Sequence, residues 1–108
     1  MQEWQRLLRR LALGDYRRGL GPSLEVVPDD PRTQTLIQLG ALLAVDAAAI
    51  SIQRSVAEAC TSGGVGADEL VEALVSLVPI IGIARVATVA PKLGLALGYD
   101  VEEAFEAR

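Results

Sequence analysis

The sequence contains no histidine and a single cysteine, Cys60. Without histidine there is no Ser-His-Asp or Cys-His activation of a nucleophile, no zinc site with imidazole ligands, and none of the commonest general base at neutral pH. One cysteine excludes an intrachain disulfide and a Cys-x-x-Cys redox pair. Aromatics are scarce: Trp4, Tyr16, Tyr99 and Phe105. Long uncharged runs are missing as well. A membrane-crossing helix takes about 18 or more apolar residues, but the run at 73–84 is stopped by Arg85. The run at 33–45 is stopped by Asp46 and contains Thr33, Gln34, Thr35 and Gln38. The opening MQEWQRLLRR carries charge from residue 3 and lacks the apolar centre of a signal peptide. A cytoplasmic chain is expected, with no membrane partner, no cofactor and no metal.

What is present is aliphatic. A chain of 108 residues points to one small structural domain, which buries roughly 65% of the surface its unfolded form exposes. Hydrophobic residues make up 51% of it, more than so small a core absorbs, so the surplus is expected to be covered by copies of the same chain. The net charge is −4 and unevenly spread. Residues 1–24 carry five arginines against two acids, whereas residues 33–108 carry four basic groups against nine acids. An acidic body without a basic stripe argues against a nucleic-acid partner. The arginines of the first segment read as the solvated face of a helix.

The long patterns have a period of 3.6, which predicts an all-α protein, a compact bundle of about five to seven helices. In residues 3–13, Trp4, Leu7, Leu8 and Leu11 form one apolar stripe, with Arg6, Arg9 and Arg10 on the other side and Gly14 as the stop. Asp15 is placed to cap a short turn through Leu20, and residues 21–30 read as a connector. Residues 1–30 are thus an N-terminal segment and residues 31–108 the main helical unit. Asp30-Pro31 is a helix start, because Asp caps well and Pro at the first position loses an N–H that has no partner. That helix should run from 31 to about 45 and lie centrally, with Gly40 and Ala41 admitting another helix. Asp46 is expected to cap the next helix, from 47 to about 62, which Gly63-Gly64 ends. Gly66 opens a further helix, with Leu70, Val71, Leu74, Val75 and Val78 as its apolar face. Pro79 predicts a kink or a break near 79–82. The helix then resumes to about 97 with a milder bend at Pro91, Gly98 closes it, and Asp100 caps a terminal turn.

This layout resembles the carboxymuconolactone decarboxylase family and the related alkylhydroperoxidase D-like proteins. Three stretches carry the resemblance: LIQLGALLAVDAAA at 36–49, GGVGADELVEAL at 63–74, and LVPIIGIARVATVAPKLGLALGYD at 77–100. It covers roughly residues 33–100. It implies an alkylhydroperoxidase D-like bundle that forms homotrimers or homohexamers. It also implies a decarboxylase or peroxidase (peroxiredoxin-type) activity by inheritance. The redox members carry Cys-x-x-Cys-x-x-x-His ahead of the glycine turn. Counting back from Gly64 sets the family's histidine at Val56 and its cysteines at Ile52 and Ala49, so the motif is absent here. The histidine of the decarboxylase branch is absent too. The resemblance therefore implies an oligomeric binding or scaffold protein without redox chemistry. The alternatives are an enzyme acting on a small carboxylate or lactone, and a weak peroxidase working through Cys60.

Five residues remain as candidates for chemistry. Arg85 interrupts the most apolar part of the chain, where a charge is costly unless paired. It is expected either to pair with Glu72 or Asp46 at a subunit interface or to hold a ligand carboxylate through its guanidinium fork. Asp46, Glu58 and Glu72 are the candidate bases, with Asp46 more readily a cap and Glu58 more readily the i+4 partner of Arg54. Cys60 is expected on the face of Val56, either as a buried inert thiol or as a redox group.

Overall fold

The structure, a computed structural model, describes residues 2–14 and 30–106. The expected turn at 15–20 and the connector at 21–29 lie outside the described residues. Among the described residues every regular element is a helix: α1 Glu3–Ala12, α2 Pro31–Ala44, α3 Ala49–Thr61, α4 Ala67–Ser76, α5 Val78–Ile81, α6 Ile83–Ala96 and α7 Val101–Glu106. No strand is present among them, so the all-α expectation holds.

Local chemistry sets most of the boundaries. Asp30 starts α2 as expected. One carboxylate oxygen accepts the Arg32 amide at 3.1 Å, and the other accepts the Thr33 hydroxyl at 2.6 Å. The Thr33 hydroxyl, followed by the Arg32 and Thr33 amides and the Arg32 charge, holds this carboxyl below its ordinary 3.8. At the start of α4, Gly66 stands at the cap and its amide donates to Glu69 Oε1 at 3.4 Å. Asp100 accepts the Glu103 amide at 3.0 Å and so caps α7. Pro79 falls at the second position of the short α5, and Gly82, at φ 89°, separates α5 from α6. The break at Gly82 falls in the expected stretch, whereas α4 already ends at Ser76, ahead of Pro79. At Pro91 the helix continues without interruption.

Helix α3 packs mainly against α2 and α6. The core consists of Leu39 and Leu43 from α2, Ile52, Val56 and Ala59 from α3, Val65, Leu70 and Leu74 from α4 and its approach, and Val86, Val89 and Leu93 from α6. Gly63 is required where α3 ends. A Cβ there would sit 2.6 Å from Thr35 Oγ1 and 2.8 Å from the Ala59 carbonyl oxygen. Arg32 ties the start of α2 to α4 through an ion pair with Glu69 and a 3.5 Å hydrogen bond to the Gly64 carbonyl.

The structure corrects several expectations. Helix α2 is central on one side only: Leu39 and Leu43 are buried, but Ile37 is exposed. No helix approaches at Gly40, where an added Cβ would meet nothing within 4 Å, and Ala41 is exposed. The apolar face of α4 is narrower than its sequence suggests, with Leu70 and Leu74 buried and Val71 and Val75 exposed.

Candidate functional site

The largest revision concerns Asp46, which closes α2 and does not cap α3. Helix α3 starts two residues later than expected, with Ala48 at its cap and no side-chain cap bond. Asp46 has φ 52°. Its amide donates to the Leu43 carbonyl at 3.2 Å, and the Ala47 amide donates to the Leu42 carbonyl at 3.0 Å. These two bonds form the Schellman end of a helix, a position that glycine usually fills. Left-handed backbone costs a non-glycine residue roughly 1–2 kcal/mol, and Asp is among the few types that adopt it routinely. Lys92, from α6, holds the turn in place. Its Nζ donates to Asp46 Oδ1 at 2.7 Å and to the Ala47 carbonyl at 3.0 Å. The sequence reading missed Lys92. Its signal was available, since Lys92 is the only lysine in the chain and follows the mid-helix Pro91.

A cleft of about 430 Å³ opens beside this turn, lined by Leu43, Ala44, Val45, Asp46, Ala84, Arg85 and Thr88. Two of the candidates, Asp46 and Arg85, therefore meet in one place. They do so without pairing, because Asp46 is taken by Lys92. Arg85 is exposed and makes no ion pair among the described residues, so the expected pairing with Glu72 or Asp46 is absent within the chain. The Thr88 hydroxyl donates to the Ala84 carbonyl at 3.0 Å. With the acid neutralised by a lysine, the uncompensated charge of the cleft is the Arg85 guanidinium, and the cleft suits an anion better than a cation.

The other candidates do not join it. Glu58 lies on a separate groove between α2 and α3, lined by Pro31, Gln34, Thr35, Gln38, Glu58 and Ser62. It makes no ion pair with Arg54. Glu72 is exposed on α4, and its carbonyl accepts the Ser76 hydroxyl at 3.0 Å. Cys60 is exposed, not buried on the face of Val56. The buried line of α3 runs Ile52, Val56, Ala59, and Cys60 is turned about 100° from Ala59.

Of the three positions at which the family's redox motif would fall, Ala49 is exposed, while Ile52 and Val56 are sealed in the core. Their side chains are hydrocarbon and are spent on packing. The described residues hold no group of three acids or thiols placed to bind a metal, and no helix among them is long and apolar enough to cross a membrane. Compared with known proteins, the chain matches no family profile, no curated protein and no solved structure.

Proposed function

We propose that this chain is a carboxymuconolactone decarboxylase-like protein without the family's redox chemistry, and that it works as a self-associating binding or scaffold protein. The observation that carries the reading is an open apolar edge. Val71 and Val75 on α4, Ile80 on α5 and Ile83 at the start of α6 are all exposed, Ile80 at 78% and Ile83 at 67%. No charge interrupts residues 73–84. Large aliphatic side chains left in water on three successive helices are the kind of surface that association covers, and a second copy supplies a matching one. The hydrocarbon at Ile52 and Val56 supports the loss of redox chemistry.

Native mass spectrometry tests this reading, with a homotrimer or homohexamer as the expected mass. Val75→Lys with Ile80→Lys should return the chain to monomers while the helical circular dichroism is kept. A wild-type monomer at micromolar concentration would sink the proposal.

The cleft favours a second reading, in which the chain binds or converts a small organic acid held by Arg85. The same spectra would then show a co-purifying acid, and Arg85→Ala would release it. Full retention of the acid by that variant would exclude the anchor. A peroxidase role through Cys60 has access in its favour, and unchanged peroxide consumption by Cys60→Ser would remove it.

A further inference from the structure

From the geometry and charge of α1 we infer a membrane-surface role for this helix: it lies in the headgroup region of an anionic lipid bilayer. The inference stands on α1 alone and not on self-association. Trp4, Leu8 and Leu11 fall along one side of Glu3–Ala12, and all three are exposed, Trp4 at 59%. Leu7, between them on the same stripe, is half-buried. Arg6 and Arg9 occupy the far side of the helix, and only Glu3 opposes them on the element itself.

A narrow Trp/Leu stripe backed by arginines, with little hydrophobicity overall, is the composition of helices that lie in the interface plane. No helix among the described residues is long and apolar enough to cross a membrane; an interfacial helix has no need of such length. The charge distribution selects the partner. Helix α1 carries Arg6, Arg9 and Arg10 against Glu3 in a chain of net charge −4, so it is a locally basic element on an acidic chain and complements an anionic surface. Arginines on the far side of a helix about 10 Å across remain within roughly one Debye length of the headgroups. Tryptophan at one end is the residue type that settles at the headgroup level.

Trp4 is the only tryptophan in the chain, so its emission reports on α1 directly. The full chain is titrated with vesicles of equal parts phosphatidylglycerol and phosphatidylcholine, and separately with vesicles of phosphatidylcholine alone. The expected result is a blue shift and co-sedimentation with the anionic vesicles only, weakening as salt is raised. Leu8→Glu with Leu11→Glu should abolish both signals. Arg6→Gln with Arg9→Gln should weaken binding by roughly 25-fold, about fivefold for each arginine near such a surface. Neither pair belongs to the core, and a circular dichroism spectrum checks that the bundle is retained. No shift with anionic vesicles overturns the inference, as does equal binding to the neutral ones. A blue shift that follows protein concentration without lipid also overturns it, and assigns the stripe to a second copy of the chain.

Discussion

The strip Ile52, Val56, Ala59 on α3 and the strip Val71, Val75, Ile80, Ile83 along α4 to α6 are built from the same kinds of side chain. The first is closed on both flanks by α2 and α6, and Ile52 is 0% exposed. The second has Leu70 and Leu74 turned to the core and Leu77, Val78 and Ile81 packed partly against it, and it leaves Val71, Val75, Ile80 and Ile83 exposed. Hydrophobicity alone does not distinguish them. What differs is the supply of neighbours: a bundle this small has enough helices to cover α3 and not enough to cover the outer side of α4 and α5. The first strip stabilises the chain, and the second is available for contact with something else.

The comparison is broken most severely at Ile52. Ile52→Ala should destabilise the fold by about 2–5 kcal/mol, through lost burial and the cavity left behind, whereas Val75→Ala should change it by no more than about 0.5 kcal/mol. Urea unfolding of both variants at a concentration below assembly checks the contrast. Equal losses would mean that the outer strip is covered within the monomer.

Gly82→Ala comes next. At φ 89° and ψ 153° the backbone lies in a region essentially restricted to glycine, although an added Cβ would meet nothing within 4 Å. A loss of about 1–3 kcal/mol is expected from strain alone, read as a lower urea midpoint. It would also misalign Ile80 and Ile83 and weaken association more than stability.

Asp46→Gly should nearly cancel. Relief of left-handed strain is offset by the lost ion pair to Lys92 and by the added freedom of the unfolded chain, leaving a net change within about 0.5 kcal/mol. The smallest effect is expected at Asp30. Its folded pKa lies below 3.8, so its contribution is complete above the unfolded value and is lost as pH falls through the folded one. The urea midpoint between pH 5 and pH 3 should fall less steeply in Asp30→Asn than in the parent chain.

The fold was largely legible because its punctuation is local. Asp30-Pro31, Pro79, Gly82 and Gly98 each act within a few residues, and the boundaries they predict agree with the structure. The faces of the helices were less legible. Whether Val71 is inside or outside depends on which helix arrives beside α4, and Cys60 is one residue from Ala59 yet on the other side of the burial line. Asp46 illustrates a third limit. The same short carboxylate suits an N-cap and a left-handed turn, and only the arrival of Lys92 from 46 residues away decides between them. The cleft was half visible: Arg85 and Asp46 were candidates for separate reasons, and their meeting is a product of tertiary packing.

The exposure of Cys60 has a practical consequence. The chain offers a single accessible thiol on α3 and a single indole on α1. A thiol-reactive dye on Cys60 that accepts energy from Trp4 makes the molecule its own optical ruler. Transfer within one chain reports how far α1 stands from the bundle. Transfer between labelled and unlabelled chains reports assembly. Its change on adding lipid separates a helix that leaves for a membrane from one that stays with its neighbours.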